Sequence, residues 1–118
     1  MGVTSLVVRI THPADRKRFV DQEMLVDSGA VFAVVPTKIL RRLGIRPMRR
    51  EQFRLADGTT ITRQVAIAGF EYGGHVGGST VIFGEPGDAC LMGALTLESL
   101  GLMLDPVRRA LRPLPLLM

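Results

Sequence analysis

An apolar run that ends in an aspartate, a hydroxyl, a glycine and a small residue is the stretch of this chain best suited to chemistry: Met24-Leu25-Val26-Asp27-Ser28-Gly29-Ala30. Three apolar residues bring a buried strand up to Asp27, and Ser28, Gly29 and Ala30 form a tight turn at its end. The turn presents one carboxylate, held by hydrogen bonds, at a surface where a second group must meet it. The acid–base chemistry this suggests needs two such carboxylates, and the chain supplies the element once. Other chemistries find less support. His12 and His75 lie in turn-like segments without a partner at ligand spacing, so they read as surface histidines and no metal site is expected. There is no phosphate loop, and no cofactor is expected.

The elements that must position Asp27 can be read on either side of it. Val3 to Ile10 reads as a strand, Thr11 to Asp15 as a turn, and about Arg18 to Asp27 as a second strand, giving an N-terminal hairpin. Phe32 to Val35 is a short apolar strand. Pro36 suits the first turn of a helix over about Thr37 to Leu43, which Gly44 is placed to end. Asp57-Gly58, between Phe53-Arg54-Leu55 and Thr60-Ile61-Thr62, is a strong hairpin signal. Val65 to Phe70 reads as a further strand. Tyr72 to Ser79, rich in glycine, reads as a flexible connection before a strand at Thr80 to Phe83. Glu85 to Asp88 is a turn, Ala89 to Met92 a short buried strand ending at Gly93, and Leu95 to Leu100 a helix stopped by Gly101. Pro113 and Pro115 disfavour a regular central strand near the C-terminus.

Composition sets the limits. A chain of 118 residues with 47% apolar and 5% aromatic residues, and no Trp, must build one domain (1–118) around an aliphatic core. The apolar stretches are far too short to span a membrane. With one Arg at position 9 and no long hydrophobic region before a small-residue cleavage site, no signal peptide is expected. A single cysteine, Cys90, excludes an intrachain disulfide and suits a reducing compartment, so the expected location is cytoplasmic. Lys and Arg exceed Asp and Glu by 15 to 11, a net charge of +4. The arginine clusters are scattered over loops and helix ends, without interleaved stacking aromatics beyond Tyr72. They read as solvated surface charge, which argues against a nucleic-acid partner.

Taken singly, Asp27-Ser28-Gly29 is a turn, Asp57-Gly58 a hairpin, and Leu91-Met92-Gly93 a close packing of strand on helix. Taken in order, Leu25-Val26-Asp27-Ser28-Gly29-Ala30, Leu55-Ala56-Asp57-Gly58 and Leu91-Met92-Gly93 with Leu97 and Leu100-Gly101-Leu102 resemble the single-domain retropepsin-like aspartic proteases, the short cellular and prokaryotic members in particular. The resemblance spans about residues 5 to 106.

It implies a mainly β, closed, barrel-like fold with one or two short helices, in which the strand before the second helix threads next to the active-site loop. It implies that Asp27 is catalytic and pairs with its copy across a C2 homodimer, two nearby carboxylates sharing one proton while water attacks a peptide bond. Ser28 would bond across the paired loops, and Gly29 would support the carboxylate through its N–H and admit substrate beside Ala30. Ala56, Asp57, Gly58 and Thr59 would form a flap over bound peptide or protein, and Ala89, Cys90 and Leu91 a wall of the cleft. Read without the resemblance, Cys90, Leu91 and Met92 are core residues. Val31 and Ala94 stand where retroviral members carry an acid–arginine pair, and Asp57 stands in a flap tip that is otherwise glycine-rich. The tail Leu111 to Met118 matches a sheet-forming dimer strand poorly. The readings to be separated are an aspartic endopeptidase, a non-catalytic dimerisation or peptide-binding module of the same fold, and a basic RNA-associated protein.

Overall fold

A computed structural model describes residues 3–116 and 118. Two strands, β1 (Ser5–His12) and β2 (Asp15–Val26), form the N-terminal hairpin, paired from Ser5↔Leu25 to Thr11↔Phe19. The second strand begins three residues before Arg18, because its polar start is carried by charge pairs outside the core. Arg9 bridges to Asp21 across the hairpin at 2.9 Å and stacks on Phe19, and Arg16 bridges to Glu71 at 2.7 Å. Next come β3 (Ala33–Pro36) and α1 (Thr37–Arg42), whose buried face is Ile39 and Leu40. Gly44, at φ +81°, takes the left-handed conformation that ends the helix.

The chain continues through β4 (Arg49–Arg54), β5 (Thr60–Tyr72), β6 (His75–Gly84), β7 (Leu91–Met92), α2 (Ala94–Ser99), β8 (Leu102–Asp105) and β9 (Ala110–Pro113). Seven strands hydrogen-bond in the order β1-β2-β7-β3-β6-β5-β4, and β1 also pairs with β5. That last pairing closes six strands into a ring and leaves β4 hanging from β5. The fold is therefore mainly β with two short helices, as the sequence implies. The interior is mainly aliphatic, with Phe70 the largest of its fully buried side chains and Phe83 also in the core. No helix among the described residues is long and apolar enough to cross a membrane.

Three segments differ from the sequence expectation. The stretch Tyr72 to Ser79 is not a flexible connection but the tight end of a hairpin, with Tyr72 opposite His75. Gly73 and Gly74 both have positive φ, 55° and 85°, the requirement of a two-residue turn that matches strand twist. Gly77 lies within β6, opposite Phe70, and glycine is needed there because a β-carbon would sit 2.5 Å from the carbonyl oxygen of Ser99. His75 is half-buried rather than at the surface, its Nδ1 3.0 Å from the carbonyl oxygen of Leu100.

The segments around Thr60 to Thr62 and Val65 to Phe70 are one continuous strand, β5. Its first half alternates beside the edge strand β4, and its second half is buried where it enters the ring. The change of pattern marks a change of surroundings, not a break. The C-terminal segment also forms a strand, β9, pairing with β8 from Leu102↔Pro113 to Asp105↔Ala110. Pro113 is tolerated because it is the last residue of an edge strand. Asp105 Oδ1 accepts the N–H groups of Val107 and Arg108, which fixes the intervening turn.

Candidate active site

Asp27 stands at the end of β2, where both neighbours grip the backbone. The Val26 N–H donates to the Thr4 carbonyl at 2.8 Å, and the Leu25 and Asp27 N–H groups donate to the Cys90 and Met92 carbonyls at 3.0 Å each. The carboxylate leaves this frame exposed to solvent, with Oδ1 accepting the Gly29 N–H at 3.0 Å. A second bond, Ala30 N–H to the Asp27 carbonyl at 3.2 Å, closes the turn. Ser28 is exposed at its apex. A β-carbon on Gly29 would come within 3.2 Å of Asp27 Oδ1, so glycine keeps the carboxylate's seat open.

The loop rests on the segment that closes the ring. The short strand β7 lies between the two strands that flank the loop, parallel to β2 (Leu25↔Leu91) and antiparallel to β3 (Val34↔Leu91). Gly93 follows, packed against the carbonyl oxygens of Val31 and Phe32. The first two N–H groups of α2 then donate to the loop: Ala94 to the Ala30 carbonyl at 2.7 Å, Leu95 to that of Val31 at 3.0 Å. Where an acid–arginine pair is lacking, at Val31 and Ala94, these backbone bonds join loop to helix. They also use two of the donors that a helix start leaves without partners. Farther along α2 the buried Thr96 hydroxyl lies 2.8 Å from that of Ser79, tying the helix to β6.

Beside the loop opens a cleft of about 600 Å³. Ala30, Val31, Phe32 and Val34 form one wall, and Phe53, Leu55 and Ile61 of the β4–β5 hairpin form another. Phe32 meets Phe53 edge to face, with centroids 6.0 Å apart. The lining is apolar apart from Arg54 of the hairpin wall and the pair Arg63 and Asp88, which form a two-pronged ion pair at 2.8 and 3.0 Å. The Glu85 N–H also donates to Asp88 Oδ2 at 2.8 Å. These bonds, with that of Arg63 foremost, hold the Asp88 carboxyl below the usual carboxylate range. Nothing local in the chain points to this pair, since Asp88 reads as a turn residue and Arg63 lies 25 positions away.

The other candidate residues divide by position. Ala30, Ala89 and Leu91 line the cleft. Cys90, between the latter two, instead packs against the core, where burial pushes its thiol up to about 11. Ala56, Asp57, Gly58 and Thr59 form the exposed tip of the β4–β5 hairpin and do not line the cleft of a single chain, whose hairpin wall is Phe53, Leu55 and Ile61. The tip is ordered by its own bonds: Asp57 Oδ1 accepts the Thr59 N–H and hydroxyl at 2.9 and 2.6 Å. Gly58, at φ +89°, completes the turn, its N–H donating to the Leu55 carbonyl. No group of three or more His, Cys, Asp or Glu that could hold a metal occurs among the described residues.

A carboxylate loop between two strands of a closed ring, seated on a strand–glycine–helix unit and flanked by an apolar cleft and a hairpin, defines the aspartic-protease class of fold. A family model described as "gag-polyprotein putative aspartyl protease" matches residues 19–99, and the chain belongs to that family. The matched region contains Asp27, the Asp57-Gly58 tip and Leu91-Met92-Gly93. A comparison with curated proteins finds no match.

Proposed function

We propose that this chain is half of an aspartic endopeptidase, which acts as a C2 homodimer on peptide segments. The observation that carries the reading is the setting of Asp27: an exposed carboxylate whose Oδ1 accepts the Gly29 N–H at 3.0 Å, on the loop whose Ala30 lines a largely apolar cleft. A lone exposed carboxylate is a weak catalyst. Brought against its copy at a two-fold axis, it can no longer ionise together with its partner, so the pair holds a single proton. The ionised member takes a proton from water as the water oxygen bonds to the peptide carbonyl carbon. The protonated member gives its proton to the carbonyl oxygen. Collapse of that intermediate breaks the C–N bond as the nitrogen takes the proton from the first carboxyl and a hydroxyl of the intermediate returns one to the second, restoring the singly protonated pair. Activity is highest at mildly acidic pH, where the singly protonated pair is populated. Ser28 of each subunit bonds across the axis, and the Ala56–Thr59 tip closes over the peptide.

A second reading, a peptide-binding module without turnover, is favoured by one observation: the cleft is already formed within a single chain. The two separate on unfolded protein substrate assayed from pH 3 to 7 with wild type and Asp27→Asn. Cleavage by wild type alone, blocked by a pepstatin-type inhibitor, supports the protease. Equal cleavage by both, or none by a verified dimer, removes it.

A further inference from the structure

Away from the cleft, a second concavity joins the end of α1 to the turn between β1 and β2. Arg18, Arg41 and Arg46 line one part, of about 490 Å³. Across the shared Gly44, Ile45 and Arg46 it continues into a space of about 410 Å³, walled by Pro13, Met48 and Ile67. None of these residues lines the cleft beside Asp27. No acidic residue lines either part. Arg18, Arg41 and Arg46 take part in none of the ion pairs among the described residues, and what sets them apart from the other arginines outside those pairs is that all three line one recess.

Three unneutralised guanidinium groups lining one recess repel one another. The partial negative charge at the end of α1 accounts for Arg41, which lies in its last turn. It does not account for Arg18, which comes from β2, or for Arg46. The Arg18 side chain lies down over Gly44: a β-carbon there would be 2.6 Å from Nη2 and 2.8 Å from Nη1. The guanidinium is thus laid over Gly44 along the recess, one side against the backbone and the rest open to solvent. At the other end Met48 is 65% and Ile67 44% exposed, apolar surface left in solvent next to the cations.

We propose that this groove docks an acidic polypeptide segment of another protein, one in which carboxylate side chains alternate with large aliphatic ones. The carboxylates complement the three arginines, whose planar forks suit bidentate pairing, and the aliphatic side chains cover Met48 and Ile67. Single-stranded nucleic acid would match the charge, but the groove offers no Phe, Tyr or Trp on which bases could stack. A flat bilayer does not enter a recess. Docking here is independent of turnover in the cleft.

The test uses the full chain carrying Asp27→Asn, so that no probe is cut, and a fluorescein-labelled peptide of alternating Glu and Leu followed by anisotropy. Binding is expected at low salt and is expected to weaken as salt rises. Arg41→Gln/Arg46→Gln should weaken it by about tenfold or more, and Arg41→Lys/Arg46→Lys by less. Met48→Ser/Ile67→Ser should weaken it without altering its salt dependence, as should replacing Leu by Ser in the peptide. Circular dichroism melts of these surface variants check that each is folded. Binding unchanged in the Arg→Gln variant overturns the proposal, as does no binding at low salt. So does tighter binding of oligouridylate or of phosphatidylserine vesicles to the same arginines.

Discussion

The α-carbon of Gly93 packs directly on the carbonyl group of Phe32: a β-carbon there would lie 2.6 Å from the Phe32 oxygen. The backbone at Gly93, φ −92° and ψ −178°, is open to any residue, so glycine is required by space and not by conformation. The same contact seats the Asp27 loop on α2. Gly93→Ala should therefore destabilise the chain by about 1–3 kcal/mol, the usual cost of forcing atoms into a packed site. A lowered urea midpoint at unchanged slope is the expected reading, and an unshifted midpoint would show that the loop gives way freely.

Asp27→Asn should leave the fold intact, since the side chain is exposed and an amide oxygen can still accept the Gly29 N–H. If the site is shared between two chains, the variant should also poison the wild type. With a threefold excess of Asp27→Asn and free exchange, peptidase activity should fall to about a quarter through statistical pairing. Activity that stays constant on mixing would place both catalytic groups in one chain.

The hairpin tip is held by Asp57, whose carboxyl is kept below its usual range by the Thr59 hydroxyl and then by the Thr59 N–H. Gly58 supplies the positive φ. Gly58→Ala should cost about 1 kcal/mol, because only glycine adopts that conformation freely. With peptide substrate the expected signature is a raised KM with a smaller change in kcat.

At the polar end of the cleft, the hydrogen bond from Arg63 lowers the pKa of Asp88. A carboxyl with a lowered folded-state pKa contributes stability above its ordinary range and loses it as pH falls through the lowered value. Asp88→Asn should accordingly cost about 2 kcal/mol at neutral pH, since both side chains are largely shielded, 15% and 25% exposed. The difference from wild type should vanish in strong acid. Thermal melts across the acid range measure it.

Burial raises the Cys90 thiol from 9.0 to about 11, against the opposing hydrogen bond with Gln22. Alkylation by iodoacetamide at pH 8 should be slow in the native protein and should accelerate once urea unfolds it. Stability should decline as pH rises from 9.0 towards 11, because the unfolded thiol ionises first. Equal rates in both states would place Cys90 at the surface.

Local chemistry alone determined a good part of this protein. The apolar run into Asp27-Ser28-Gly29, the Asp57-Gly58 turn and the Gly44 and Gly101 helix stops depend on nearby residues, so each is legible in the sequence. The order of these motifs also carried the family. Tertiary structure decided what depends on residues far apart in the chain. Gly73-Gly74 tightens a hairpin only because β5 and β6 pair on either side of it, and position 77 of that strand takes glycine because Ser99 lies against it. Cys90 turns to the core while its neighbours Ala89 and Leu91 face the cleft, and because the strand begins only at Leu91 this division is assigned by packing. The Arg63–Asp88 pair and the groove of Arg18, Arg41 and Arg46 were invisible for the same reason. Charges distant in sequence have no mutual energy until the ring closes and brings them together.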